Sequence, residues 1–190
     1  MLMPGVGFDV VPTDCLAVHL KTLLPSATNL TLAFQSVGPA GPPPGTQRTI
    51  IEMLAYRNQV RRNDQLITPA KTIKTRMIDF GKGPVTSTRI TWGDVFTAWY
   101  STGIPNIENY LVIPQHLHSK MKVLDFVRPI FRLWLVRNYL KGKIKPGSEP
   151  KVLAKTHTLV WGEVMDCQGN RKSARLRGPE AGIIWTGISS

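Results

Sequence analysis

The chain has 190 residues, of which 42% are hydrophobic and 19% charged, enough apolar content for a sizeable core and not the composition of a disordered tail. Lys and Arg number 24 against 12 Asp and Glu, giving a formal charge of +12 and a pI near 10.1. Such a field attracts polyanions, yet no helix-turn-helix, zinc finger or aromatic-basic sheet motif is there to read bases, so no sequence-specific nucleic-acid partner is expected.

In chain order, Thr13 or Asp14 is placed to cap a helix carrying Leu16, Leu20, Leu23 and Leu24 on one face and ending at Pro25. Leu30 to Phe34 alternates like a half-buried strand, and the Gly-Pro run from Gly38 to Gly45 then forbids regular structure. Thr46 can cap a helix to about Arg57, with Ile50, Met53, Leu54 and Arg57 at helical spacing. Asn63-Asp64 predicts a hairpin turn. Met77 to Phe80 and Val85 to Trp92, joined by Gly81-Lys82-Gly83-Pro84, predict a strand pair, because Thr86, Thr88, Ile90 and Trp92 suit a pleated surface. Gly93 ends that pair, and Asp94 stands as N-cap of a helix from Val95 to Ser101, closed by Gly103 and Pro105. Ile107 to Ile113 returns as a strand. Thr156 to Met165 and Arg171 to Leu176 flank Asp166-Cys167-Gln168-Gly169-Asn170, the strongest hairpin signal in the chain. The expected architecture is α+β with a largely antiparallel sheet and packed helices, in one domain over residues 1–190.

The region from Gln115 to Lys145 reads as a basic apolar helical insertion. Bulky residues from Met121 to Leu140 are interleaved with Lys120, Lys122, Arg128, Arg132, Arg137, Lys141, Lys143 and Lys145, and Asp125 alone opposes them. Pro129 should kink or divide it. Two readings stand side by side. In one, an interfacial helix meets an anionic membrane through Arg128, Phe131, Arg132, Trp134 and Arg137. In the other, a core helix packs on the sheet and its cations are solvated, although the apolar positions spread over more than the ~100° stripe of a single packed face.

No apolar stretch reaches the ~18 uncharged residues of a spanning helix, and Met1 to Pro4 leads into Gly5 without the basic and apolar regions of a signal peptide. The expected location is cytoplasmic, with peripheral membrane contact. Cys15 and Cys167 form no CxxC, fit a reducing compartment, and are expected as small buried apolar residues. The histidines give no His-x3-His pair, and His116 and His118 have no cysteine or carboxylate cluster beside them, so no metal site is expected.

Gly5-Val6-Gly7 invites a dinucleotide-loop reading, but the third glycine position is Val10 and no acidic residue follows about 20 positions on in a strand context. The longer run Pro4-Gly5-Val6-Gly7-Phe8-Asp9-Val10-Val11-Pro12-Thr13-Asp14-Cys15-Leu16-Ala17 resembles instead the segment after the nucleotide-binding domain in saccharopine dehydrogenase-like oxidoreductases, the group that includes trans-acting enoyl reductases. Thr91-Trp92-Gly93-Asp94-Val95-Phe96-Thr97-Ala98 and Ser101-Thr102-Gly103-Ile104-Pro105-Asn106-Ile107 look like that family's WGDV-x-TA and STGIPN segments, in the same order. A looser likeness covers Trp161-Gly162-Glu163-Val164 and Arg177 to Gly182, so the resemblance spans roughly Pro4 to Thr186.

The resemblance implies the substrate-binding and dimerisation-type domain of a two-domain Rossmann oxidoreductase, with residues 1–15 as the junction to a nucleotide-binding half that precedes Pro4. It implies NAD(P) in the parent enzyme, with none bound by this chain alone, and a lipid or other hydrophobic enoyl or carbonyl substrate. It sets Gly7, Phe8, Asp9 and Pro12, with Asp14, at the nicotinamide end, and Trp92, Asp94, Thr97, Ser101 and Thr102 on the opposing substrate wall. Asp9, Asp14 and Tyr100 are the side chains able to deliver a proton beside a hydride. By position alone, Asp14 and Asp94 read first as helix caps. The partners to test are the hydrophobic substrate, an anionic membrane surface and a second copy in a homodimer. The alternative function is a non-catalytic basic module that binds membranes peripherally.

Overall fold

The computed structural model describes residues 10–70, 73–114, 127–144 and 146–179. They form an α+β fold around one mixed, mostly antiparallel open sheet. In chain order the elements are α1 (Val11–Leu23), β1 (Asn29–Val37), α2 (Pro44–Met53), β2 (Val60–Arg62), β3 (Gln65–Ile67), β4 (Thr75–Asp79), β5 (Pro84–Ile90), α3 (Asp94–Thr102), β6 (Asn106–Val112), α4 (Trp134–Gly142), α5 (Pro150–Leu153), β7 (His157–Met165) and β8 (Arg171–Pro179). The sheet order is β3-β2-β6-β1-β7-β8, with β5 also pairing to β6 and β4 to β5. Within it β1 and β6 run parallel and every other pair is antiparallel.

Register decides the two faces, since side chains alternate along a strand. Leu30 and Leu32 of β1 sit beside Ile107 and Asn109 of β6 and opposite Val164 and Gly162 of β7. On this face the helices α1 and α3 close a core of Leu16, Ala17, Leu20, Leu30, Leu32, Ala98, Ile107, Val160 and Val164. The alternate residues Ala33, Tyr110 and Trp161 point the other way. There the β4–β5 hairpin rolls back from the edge of β6, bringing Ile78 and Phe80 onto them as a second core.

The hairpin turns are the ones the sequence predicts. Asn63 and Asp64 have φ of 46° and 65°, the left-handed pair that a two-residue turn of this kind requires. Asp166 organises the β7–β8 turn by accepting backbone hydrogen bonds from Gln168 and Asn170, both 2.9 Å, and a side-chain bond from Ser26 at 3.1 Å. The Asn170 and Ser26 side chains with those two amides hold its carboxyl below the usual range.

Several details differ from expectation. Neither Asp14 nor Asp94 caps its helix: the N-cap positions are Val10 and Gly93, and no side-chain capping bond is present at either. Gly93 already has helical angles (φ −51°, ψ −40°), whereas a capping residue needs extended ones. Helix α1 buries Leu16, Ala17 and Leu20, while Leu23 is exposed, so its core stripe is narrower than the run of leucines suggests. Helix α2 starts at Pro44, whose fixed φ suits a first turn, instead of at Thr46, and it ends at Met53 instead of near Arg57. Cys15 and Cys167 are both exposed, contrary to the burial expected of them. Of the predicted basic insertion, residues 127–131 are helical through Pro129, and α4 follows after a break at Arg132 and Leu133, so the division falls beyond the proline expected to cause it. Residues 115–126 and Lys145 of that insertion lie outside the described residues.

Gly162 is where the helix comes closest to the sheet. A Cβ there would stand 2.6 Å from Leu20 Cδ1 and 3.1 Å from Leu16 Cδ2, both in buried side chains. Gly162→Ala is therefore expected to lower stability by roughly 1–3 kcal/mol in chemical denaturation, because α1 must lift or its leucines must leave their rotamers. Gly45→Ala, in α2 with nothing near the added methyl, should leave stability equal or slightly higher.

Candidate functional site

The first turn of α1 and the first turn of α3 meet over β6, and three polar side chains are enclosed between them. Thr13, Asp94 and Asn109 are 3%, 0% and 1% exposed. Asn109 is brought to the helix side of β6 by the same alternation that points Ile107 inward. Its Nδ2 donates to Asp94 Oδ2 at 2.7 Å, and the Thr13 hydroxyl is paired with Asp94 Oδ1.

The Thr13 hydroxyl also lies 3.0 Å from the carbonyl of Val10, yet it has one proton to give. When Asp94 is protonated, the acid can donate to Thr13 and Thr13 to Val10. When Asp94 is ionised, Thr13 donates to it and the Val10 carbonyl keeps the bond from the Asp14 amide at 2.8 Å. Burial pushes the Asp94 carboxyl up to about 7; the Thr13 and Asn109 hydrogen bonds oppose it, and the charge of Asp14 adds to it. The pair of helices is thus joined through a carboxylic acid that changes state near neutrality.

Asp14, one turn into α1, is half-buried and accepts a hydrogen bond from Ser101 Oγ at 2.8 Å. Ser101 itself is exposed at the end of α3. The structure therefore brings together Asp14, Asp94 and Ser101 from the residues singled out by sequence. Pro12 lies beside them in the first turn of α1. The other wall residues are spread along α3 and its approach. Thr102 is buried and spends its hydroxyl on the Ala98 carbonyl; the Thr97 hydroxyl lies 3.4 Å from the Gly93 carbonyl; Trp92 packs on Phe34 with ring centroids 4.6 Å apart. Tyr100 is 81% exposed and makes an edge contact with Trp99. Gly7, Phe8 and Asp9 lie outside the described residues. Asp94, fully enclosed, supports the α1–α3 contact from behind; Asp14 and Ser101 are the pair that solvent can reach.

Sequence reasoning passed over a second polar cluster, on the opposite face of β6. Glu108 is 6% exposed. It receives Arg62, Lys74 at 2.9 Å, Arg89 at 3.2 Å and the Tyr110 hydroxyl at 2.8 Å. Burial alone would raise its pKa, but the hydrogen bonds from Lys74 and Tyr110 and the Arg62 charge outweigh it and hold the carboxylate below the usual range. Tyr110 is pushed upward by burial and by that same carboxylate. The signal for this cluster was present in Asn106–Val112, a strand with a charged residue at its centre, but its partners come from three other strands or their flanks.

Within the basic segment the five residues assigned to a membrane separate sharply. Arg128 is only 8% exposed, and its Nη1 donates to the carbonyls of Leu54 and Tyr56. Arg137 pairs with Glu52 at 2.7 Å, and Lys141 joins the same carboxylate, tying α4 to α2. Phe131 is half-buried, whereas Arg132 and Trp134 are exposed. Two of the three arginines expected to meet lipid are thus internal ties. Among the described residues no His, Cys, Asp or Glu cluster of metal-ligand type is present, and no helix is long and apolar enough to cross a membrane. Neither protein families nor curated protein sequences match this chain.

The sign of the Asp94 effect is testable. Its folded pKa is raised, so the native state binds the extra proton between about pH 4 and pH 7, and stability falls as pH rises through that window. The loss is on the order of 4 kcal/mol from the size of the shift. Asp94→Asn should flatten that slope in urea unfolding and be more stable than the parent at pH 8, with no such gain at pH 4.5. An unchanged slope in the variant would remove Asp94 as its source. Glu108, held low, acts in a separate window below about pH 4.5, where its stabilisation is lost as pH falls.

Proposed function

We propose that this chain is the substrate-binding portion of a saccharopine dehydrogenase-like NAD(P)-dependent oxidoreductase that reduces a lipid or other hydrophobic enoyl or carbonyl substrate. The observation that carries the reading is convergence. The three segments that resemble the family are far apart in sequence, yet they pack as one layer: α1 on β7 at Gly162, and α1 on α3 through Thr13–Asp94 and Asp14–Ser101. Asp14 and Ser101 stand at its accessible rim.

By resemblance, the reading assigns cofactor binding to a preceding half and leaves this chain the tasks of holding substrate and moving a proton. The cofactor would supply hydride. Asp14, bonded to the Ser101 hydroxyl, is placed to relay a proton to the carbon or oxygen next to the reduced centre, and Asp94 behind it fixes the two helices that carry them. Substrate/dimerisation-type describes the domain on this reading, with a second copy as its oligomeric partner.

A separate observation favours the second reading, a peripheral membrane module. Ile130, Leu133, Trp134, Leu135 and Tyr139 are between 51% and 73% exposed within ten residues of one basic segment. Such a concentration of bulky apolar surface beside cations is what an interfacial element presents.

The enzyme reading is tested on the longest gene product that contains this chain, by NADPH and NADH oxidation with long-chain 2-enoyl thioesters and long-chain ketones. Turnover is expected, and Asp14→Asn should reduce it at least about tenfold while thermal stability stays close to the parent, as loss of a proton donor requires. The 190-residue chain on its own should leave NADPH fluorescence unchanged. No oxidation with any of these substrates, or full turnover in Asp14→Asn, would overturn the assignment.

A further inference from the structure

Two exposed arginines and one anchored arginine gather at one cleft. Arg57 follows the end of α2, and Arg128 and Arg132 come from the helical turn at 127–131 and its exit; with Pro129 they line an open cleft. An adjoining cleft of about 410 Å³ shares Arg57 and Arg132 and is floored by Tyr56, Gln59 and Thr91. Among the described residues no carboxylate lines either one. The nearby Glu52 is already taken by Arg137 and Lys141.

The three guanidinium groups have different freedoms. Arg128 is buried and anchored on the carbonyls of Leu54 and Tyr56. Arg57 and Arg132 are exposed, and neither has an ion-pair partner among the described residues. The exposed like charges of Arg57 and Arg132 repel across the cleft, and a single anion between them removes that cost. Guanidinium forks match the oxygens of a phosphate better than those of any halide or bicarbonate.

Exposed apolar side chains of the same short segment point to the kind of phosphate. Ile130, Leu133 and Trp134, within two residues of Arg132 in sequence, are 51%, 58% and 65% exposed. A soluble anion would leave them in water, whereas an amphiphile neutralises the exposed arginines and covers these apolar side chains together. We infer that the cleft bounded by Arg57, Arg128 and Arg132 binds the phosphate headgroup of an anionic lipid in a membrane surface, with Ile130, Leu133 and Trp134 entering the lipid beside it. The inference deepens the peripheral-membrane reading and rests on it, but it names a site where that reading names only a patch.

The experiment uses the 190-residue chain with phosphatidylcholine vesicles, with and without phosphatidic acid, in co-sedimentation. Arg57→Gln/Arg132→Gln is compared with Lys172→Gln/Arg177→Gln, which removes the same charge from exposed positions on β8. The cleft double should weaken binding to the phosphatidic acid vesicles about thirtyfold, as two cations at a charged surface require, and the β8 double by less than about threefold. Dihexanoyl phosphatidic acid, as a soluble monomer, should bind the parent and fail to bind the cleft double in calorimetry. Equal losses in the two doubles would mean a diffuse field and overturn the site. Vesicle binding that survives both doubles but falls in Leu133→Ser/Trp134→Ser would overturn the site and leave the membrane reading standing. Binding of inorganic phosphate in the cleft without vesicle binding would overturn the lipid occupant, and no binding to any probe would overturn site and membrane reading together.

Discussion

The approach of α1 to β7 sets the geometry on which the rest of the helical face depends. With only hydrogen at Gly162, Leu16 and Leu20 descend onto the sheet, and the helix axis lies low enough for its first turn to reach across to α3. Thr13 then falls on Asp94, and Asp14 on Ser101. A methyl group at one sheet position would thus act on polar contacts well removed from it, since close-packed interiors transmit displacement along rigid elements. Packing comes first here, and the buried carboxyl is a consequence of it: enclosed by the contact, Asp94 loses water and its pKa moves toward neutrality.

The two faces of β6 handle buried charge in opposite ways. On the helix side Asp94 has two neutral partners, so protonation is the inexpensive response to burial. On the hairpin side Glu108 has three cations and a phenol, so it stays ionised and holds the rolled-over strands to the sheet. Arg76 extends the second arrangement by bridging Thr31 and Glu163 beside the Trp161 ring. Removing the carboxylate at 108 would take from Arg89, itself 4% exposed, the anion it shares with two further cations. The charge that makes the chain so basic is therefore partly structural.

What the sequence made legible was local. The turns at Asn63-Asp64 and Asp166 to Asn170 are fixed by left-handed backbone and by a carboxylate bonding its own loop, both decided within a few residues. The strands at Leu30 and Ile107, the α+β class and the presence of a helix after Gly93 followed from alternation and punctuation in the same way. The parallel β1–β6 pair and the fold-over of β4–β5 did not, because alternation in Thr86, Thr88 and Ile90 states that there are two faces without saying what covers each. Capping at Asp94 failed for a related reason: the residue type was right for a cap, but Gly93 is already helical and a hydroxyl 81 residues away in sequence claims the carboxylate. For the candidate site, Asp14, Asp94 and Ser101 were named from sequence and meet, whereas Thr13 had been read only as a cap and Asn109 as an unremarked strand residue. A lone polar side chain on the core face of a strand was the available signal for Asn109.

The basic cleft and the α1–α3 junction are linked by a short span of chain. Thr91, on the cleft floor, accepts a hydrogen bond from the Gln59 amide at 2.7 Å, and only Trp92 and Gly93 separate it from Asp94. Trp92, between them, packs on Phe34 with ring centroids 4.6 Å apart. On the proposed readings, the surface that would hold an anionic headgroup and the layer that would hold a reducible chain are then consecutive parts of one rigid strand-to-helix connection.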